Sequence, residues 1–435
     1  MNDESVQELA SKEGVDQPFS AESLKKLCLE EGADDVGFVN IDREAISFER
    51  NDLLTAYPKT QTIISIIKTM NRENIQSPIR YVANNEFHHM SHHIEEISRR
   101  IILKLNQRGI RGVRTSMGFP MDADRWPGKI WYVSHKVMAV QAGIGLMGIH
   151  RNVIHPKFGN FILLDSILID TPVDRYDQPL QENPCFECRL CISACPVGAV
   201  REEGLDFTAC ATHNYREFMG GFQDWVEQVV SSKSVKSYRS KVHDRETVSF
   251  WQSLSFGANY KAAYCMAVCP AGEDIIHHYH ADKKAYVQEI VKPLREKEEP
   301  VYVNKGTRAE SIAKRNKYKE LRYAHFHMRP RSVAQFLMGI KLVFDPLKGK
   351  GVEVTIHFEF TGKEKVSATV TISKGRLEVH DGLIGKANLR AKVDSETWVA
   401  FLNGERSLFR AIITRKLRIK GNPIHLMRFQ NSLAI

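Results

Sequence analysis

The stretch "CFECRLCISACP", residues 185–196, reads C-x-x-C-x-x-C-x-x-x-C-P. Three cysteines on one tight turn can cap three irons of a cubane, while the fourth, on the following helix, reaches a second cluster. The five-element spacing favours an iron–sulfur centre over a zinc ribbon. Such a motif calls for a second half, and "KAAYCMAVCPAG", residues 261–272, supplies a reduced one. Cys265 and the Cys269-Pro270 pair are in place, but the preceding cysteine position holds Ala262. By the crossing rule Cys185, Cys188, Cys191 and Cys269 share cluster one. Cys195 then joins Cys265 in cluster two, with Cys210 of "LDFTACATHNY" (205–215) as third ligand. Cluster two is therefore expected as 3Fe-4S, or as 4Fe-4S with water, substrate or another non-cysteine ligand on the fourth iron. His213 is a candidate stand-in; an ordinary surface histidine is the plainer reading.

Working outward, seven of the eight cysteines lie in this region. The eighth, Cys28, sits in "SLKKLCLEEGADDVGF" (23–38) and reads as a core residue on the apolar face of a helix. Cysteines used as metal ligands fit a reducing cytoplasm. The N-terminal "MNDESVQELASKEGVDQPFS" lacks an apolar signal region, and no run of 18 apolar residues suggests a transmembrane helix. At 435 residues, 43% hydrophobic and 26% charged, the chain has room for two or three globular domains. The net charge of +9 could attract tRNA, anionic lipid or an acidic electron carrier. There is no dense Lys/Arg tract and no nucleic-acid motif, so nucleic acid is not the expected partner.

Residues 1–178 form an α/β domain: "KTQTIISIIKT" (59–69) and "NFILLDSILID" (160–170) read as buried strands, and "EFHHMSHHIEEISRRIILKLNQRG" (86–109) as a helix ending at Gly109. The i, i+4 histidines in it (His88/His92, His89/His93) have zinc-capable spacing, but no acidic residue completes a motif, and a partly exposed helix is the better reading. Residues 179–281 are the two-cluster ferredoxin module and 282–327 a charged helical linker. From 328 to 435 the pattern changes. "VEVTIHFEF" (352–360) alternates strictly, "KVSATVTISKGRLEVHDG" (365–382) gives two strands about Lys374-Gly375, and Asp394 caps the helix "SETWVAFLNG". A one-sided antiparallel sheet under helices makes a small α+β domain with an apolar interior.

"HKVMAVQAGIGLMGIHRNVIHPKFGNFILLDSILID" (135–170) contains a literal G-x-G-x-x-G, but a helix-like segment rather than a strand precedes it, against a dinucleotide site. Lys136, Ala139, Ala142, Gly143, Ile144, Gly145, Gly148, His150 and Asn152, followed by Phe158-Gly159 and an apolar strand, resemble the core of cobalamin-dependent epoxyqueuosine reductases and reductive dehalogenases. Phe87-His88 resembles their tyrosine-histidine helix. The resemblance covers about residues 20–275. It implies an α/β, nitroreductase-like corrinoid-binding domain, with a base-off cobalamin near His88, Lys136, Gly143, Gly145, Gly148, His150, Asn152 and Gly159. It also implies clusters that feed single electrons to cobalt and a ferredoxin or flavodoxin as electron donor. Lys129 stands where epoxyqueuosine reductases carry an acidic proton donor, and Tyr132 with Lys129 resembles the tyrosine and basic neighbour of the dehalogenases. Lys129, Tyr132 and His135 are the active-site candidates.

The close, "KLRIKGNPIHLMRFQNSL" (416–433), resembles the sterol-carrier-protein type 2 family. It implies an apolar tunnel that either carries a lipophilic substrate or serves a homodimer. Together these readings point to a cytoplasmic reductase that removes a leaving group or oxygen from a small lipophilic molecule. The rivals are an epoxyqueuosine reductase acting on tRNA and a corrinoid-free, lipid-binding electron-transfer or sensor protein.

Overall fold

The computed structural model describes residues 18–118, 131–324, 329–346 and 348–433. Helix α1 (Ala21–Glu30) is capped by Ser20, whose side chain accepts from the Ser23 N–H, and it buries Leu24, Leu27 and Cys28. It leads into a four-stranded sheet of β1 (Asp35–Asn40), β2 (Thr62–Thr69), β3 (Gly112–Arg114) and β4 (Ile162–Ile169), ordered β1-β2-β4-β3 and antiparallel throughout. β2 is apolar on both faces because both are covered. Ile64 and Ile66 pack with Ile94, Ile97 and Ile101 of the long helix α2 (Arg80–Asn106). Ile63 and Ile67 pack with Met138 and Ala139 of α3 (His135–Gln141) on the other side. The two strands and the helix expected in this region are thus present, α2 starting six residues earlier than read.

The cysteine-rich segment is built from α4 (Leu190–Ala194), α5 (Phe207–His213), three further helices, α6 (Gly221–Val230), α7 (Val235–Arg239) and α8 (Asp244–Phe256), and the short α9 (Tyr264–Ala267). The expected linker, 282–327, is corrected by the structure. Strands β5 (Glu299–Val303) and β6 (Lys319–Tyr323) pair in parallel, with α10 (Arg308–Arg315) between them. Val301, Val303, Ala309 and Ala313 share a core with Val197, Ala199 and Ala209, so this segment completes the cysteine-bearing module. Its short apolar alternation is hidden by the charges around it, which is why it reads as a linker.

In the C-terminal region α11 (Val333–Val343) precedes β7 (Val354–Thr361), β8 (Ser367–Ser373), β9 (Arg376–Asp381) and β10 (Leu389–Asp394). α12 (Ser395–Leu402), β11 (Leu417–Gly421) and α13 (Ile424–Asn431) complete it. The sheet order is β9-β8-β7-β10-β11. It is mixed rather than purely antiparallel, because β10 returns on the free edge of β7 and runs parallel to it. Val354, Ile356, Phe358 and Phe360 of β7 all point into the core, as the alternation requires, against Phe336, Trp398 and Phe429. The β8–β9 turn uses positive φ at Lys374 (49°) and Gly375 (72°), the pair that a two-residue hairpin favours. Asp394 Oδ1 accepts the Thr397 N–H at 3.0 Å and the Thr397 hydroxyl at 2.6 Å. Asp394→Ala should cost about 1 kcal/mol, read as a lower urea midpoint at unchanged slope. No described helix is long and apolar enough to cross a membrane.

Buried Arg201 joins the two halves. It pairs with Asp206, the N-cap of α5, and donates through Nη1 to Asp345 Oδ1 at 2.9 Å, at the start of the C-terminal region.

Candidate functional site

The two cysteine motifs share one local shape. Arg189 (φ 62°) immediately precedes α4, and Ala263 (φ 52°) immediately precedes α9. Left-handed backbone at non-glycine residues is uncommon, so its recurrence at matched positions marks the segments as two copies of one turn. In that superposition Cys191 matches Cys265, Cys195 matches Cys269, and Cys188 matches Ala262. The remaining position, that of Cys185, falls on Asn259.

All eight cysteines are free. Burial pushes the Cys269 thiol up, and Cys188, Cys191 and Cys185 push it further. Burial also holds the Cys210 thiol well above its usual range, with Cys265 and Cys195 adding to it. Cys265 is raised to about 11 by burial and then by Cys195. Cys269 thus feels Cys188, Cys191 and Cys185, and Cys210 feels Cys265 and Cys195, which makes two overlapping groups of thiols. Cys191, raised to about 12 by burial, then feels Cys265 most strongly, so the two groups adjoin. Among the described residues no three His, Cys, Asp or Glu side chains could hold a single metal ion. A cubane makes a looser demand, since each sulfur takes a different iron. The thiolate is the metal ligand, so iron bound by these cysteines would displace the protons that burial favours on them.

Around the unfilled corner, Asn214 Oδ1 accepts the N–H groups of Ala262 (3.0 Å) and Ala263 (2.7 Å). Asn259 is tied to Glu217, which accepts both its backbone N–H and its side-chain amide at 3.0 Å. Tyr215 lies close by, its phenol held well above the usual range by burial, then by Tyr260, Cys210 and Cys265. Sequence reasoning does not single out Tyr215 or Asn214, because no spacing rule marks a residue that the fold brings beside a cluster. His213 corrects its reading as an ordinary surface histidine, and its buried Nε2 has no hydrogen-bond partner. It is 1% exposed, hence no surface histidine, and its ring faces Tyr302, whose N–H it accepts at Nδ1. Burial lowers it to about 4, and the charges that act on it are Glu299, Lys261, Lys319 and Arg216.

The glycine-rich segment meets this region through Lys136. Its Nζ donates to Arg151 O at 2.9 Å and Asn152 Oδ1 at 2.8 Å, while Cys265 and Cys210 oppose the lowering that burial imposes on it. His150 accepts the Asn152 N–H at Nδ1 (3.1 Å), and its ring lies against Gly148. Burial and then Lys136 lower it to about 4, and its buried Nε2 has no hydrogen-bond partner. Lys136, Asn152 and His150 thus form one hydrogen-bonded group, and the charges of Cys210 and Cys265 act on its Lys136 end. The other glycines face the protein itself. A Cβ at Gly143 (φ 69°) would lie 2.5 Å from Gln178 O, and Gly145 and Gly159 (φ 64°) press on the backbone of Ile154 and Ala271. Their need for glycine is close packing of backbone on backbone.

His88 Nε2 donates to Ala258 O at 2.7 Å, and Asn84 Oδ1 accepts the Tyr260 N–H at 2.9 Å, so α2 braces the loop into Ala262. His135 corrects its assignment as an active-site residue. Both ring nitrogens are engaged inside the core, with Ser166 Oγ and Ser116 O, each at 2.9 Å. Beside it Asp165, held by Ser98 Oγ at 2.6 Å, is raised by burial. Tyr132 is half-buried. Lys129 lies outside the described residues.

The C-terminal region encloses a cavity of about 570 Å³, lined by Phe336, Trp398, Phe401, Leu426 and Phe429 together with the exposed cations Arg329 and Lys348. Trp398 is 2% exposed and its Nε1 has no partner, an unused donor in an apolar space.

Residues 345–434 match the model of the SCP-2 sterol transfer family. The epoxyqueuosine reductase of Bacillus anthracis is 28% identical over 163 residues, 37% of this chain and 35% of the relative. That of Leadbetterella byssophila is 27% identical over 127 residues, 27% of this chain and 41% of the relative. Similarity to two families therefore meets in one chain: a portion like epoxyqueuosine reductases precedes a region like the SCP-2 sterol transfer family. The chain spans 35% and 41% of the length of those two curated relatives. Among solved structures, the epoxyqueuosine reductase of Streptococcus thermophilus overlaps 62% of this chain and 74% of its own at 13% identity and a TM-score of 0.36. The catabolic reductive dehalogenase NpRdhA overlaps 44% of this chain and 27% of its own at 17% identity and a TM-score of 0.35.

Proposed function

We propose that this chain is a corrinoid-dependent iron–sulfur reductase that removes a leaving group or oxygen from a small lipophilic molecule, with the sterol-carrier cavity holding the lipophilic part. The observation that carries it is the Lys136 group: its Nζ binds Asn152 Oδ1 at 2.8 Å, His150 Nδ1 accepts the Asn152 N–H at 3.1 Å, and Cys210 and Cys265 act on the Lys136 charge. The residues that resemble a corrinoid turn and those that would hold cluster two then form one site. When bound, iron–sulfur clusters supply single electrons and a corrinoid cobalt delivers them to substrate. Cys185, Cys188, Cys191 and Cys269 would hold one 4Fe-4S cluster. Cys195, Cys210 and Cys265 would hold the second, with an open iron or as 3Fe-4S. The Lys136 ammonium lies where it favours the reduced form of that cluster, and the unpartnered His150 Nε2 is the polar group a corrinoid would satisfy. The surface charge of +9 suits an acidic ferredoxin or flavodoxin as donor.

The test is a UV–visible titration of anaerobically purified protein with hydroxocobalamin, alongside iron and cobalt analysis. Stoichiometric cobalt with base-off bands is the expected result. Iron without corrinoid uptake would reject the reductase and leave a lipid-binding electron-transfer protein. A second reading, reduction of epoxyqueuosine in tRNA, is favoured by the names of the curated relatives; rescue of a queuosine-deficient strain by this gene would establish it.

A further inference from the structure

We propose that helices α6, α7 and α8 form a docking face for an anionic lipid surface. These helices lie between Cys210 and Cys265 and have an inner side of their own. Phe222 and Trp225 of α6 pack on Phe250 of α8, with ring centroids 4.5 and 6.1 Å apart. Buried Arg216 binds Asp224 at 2.8 Å and Glu246 at 2.6 Å. The outer side is apolar without being covered. On α8, Val248, Trp251, Leu254 and Phe256 are 52%, 63%, 67% and 82% exposed, and Val230 and Val235 are 80% and 66% exposed. Single exposed apolar residues are ordinary, but a face of large ones marks an interaction surface.

The charge beside that face selects the occupant. Residues 231–241, "SSKSVKSYRSK", carry Lys233, Lys236, Arg239 and Lys241 and no acid. All four are exposed. Tyr238 of α7 sets this strip against α8, its hydroxyl 2.8 Å from Thr247 Oγ1, one turn before Trp251, and accepting from Trp225 Nε1 at 3.0 Å. Trp, Phe and Leu next to Lys and Arg on a helix too short to span a bilayer is the pattern of a helix lying in the lipid interface. A second copy of the chain is a poorer occupant, because an isologous contact would set two basic strips together. The face also adjoins the cavity. Glu227 of α6 pairs with Arg329 at 2.7 Å, and Arg329 lines the sterol-carrier cavity. Docking here would bring that cavity to the lipid from which it loads, a consequence that rests on the lipophilic-substrate reading above.

Flotation of the full chain with phosphatidylcholine vesicles, with and without phosphatidylglycerol, tests the proposal. Co-flotation only with phosphatidylglycerol is expected. It should fall about tenfold or more in W251S/L254S/F256S and in K233E/K236E/R239E. Iron content and far-UV circular dichroism of each variant should match the parent, which separates lost docking from lost fold. No flotation on anionic vesicles, or flotation that neither variant weakens, overturns the proposal. So does a dimer that W251S/L254S/F256S dissociates, if the parent does not float. Corrinoid uptake is read separately, so its failure would strike the reductase reading and leave the docking face standing.

Discussion

Cys210→Ala should remove about half of the iron, whereas Cys185→Ala should remove far less. The two sets of cysteines differ in redundancy. Cys185, Cys188, Cys191 and Cys269 number four, and a set of three can still hold a 3Fe-4S core. Cys195, Cys210 and Cys265 are already three, because Ala262 stands where the repeated turn would bring a fourth sulfur. Two cysteines cannot hold a cluster, so any substitution in this set is expected to empty the site. Ala262→Cys makes the converse case. Ala263, like Arg189, has positive φ immediately before a helix, and the N–H groups of residues 262 and 263 are held by Asn214 Oδ1 at 3.0 and 2.7 Å. The parent should give a 3Fe-4S electron paramagnetic resonance signal on mild oxidation, and A262C should lose it. Full iron in C210A would show that Cys210 is no ligand. An unchanged signal in A262C would show that the fourth corner lies elsewhere.

Arg201→Leu should destabilise the protein by about 3–5 kcal/mol. Arg201 is buried, and its removal leaves Asp206 and Asp345 without their shared cation. An unpaired buried carboxylate costs far more than an exposed ion pair contributes. Asp206 also accepts the Ala209 N–H at 2.9 Å and so caps α5, the helix that carries Cys210. The Asp345 N–H donates to Ser432 O at 2.9 Å, which ties the end of the C-terminal region to its start. The substitution should therefore lower the urea midpoint and expose the segment before residue 345 to limited proteolysis. R201L/D345N should recover part of the loss, since it removes one of the two carboxylate charges that Arg201 neutralises. A loss below about 1 kcal/mol in R201L would mean that the carboxylates find water or another cation.

Some features are local enough to be legible in one dimension. The cysteine motif is a spacing rule over twelve residues, and the alternation of β7 or the cap at Asp394 involves neighbours in sequence. The alternation and the cap hold in the structure. His135 and His213 show the limit. A histidine near a glycine-rich turn, or three residues after a cysteine, has the same sequence signature whether it faces a cofactor or the core. Only the arrival of Ser166, Ser116 and Tyr302 from distant segments makes both of them interior residues. The stretch 282–327 misreads for a related reason: its valines are too few to reveal that a partner core, Val197, Ala199 and Ala209, waits elsewhere.

The sequence by itself determined the two cysteine motifs, the alanine at 262 and the C-terminal sheet with its helices. Each depends on residue chemistry at fixed short spacing, where backbone geometry leaves few alternatives. Tertiary structure alone decided that Asn214 holds the Ala262 and Ala263 N–H groups, that Arg201 binds the two halves, and that α8 presents Trp251 and Leu254 outward. Those are contacts between segments far apart in the chain, and they are set by which apolar faces bury one another, a choice no local pattern encodes.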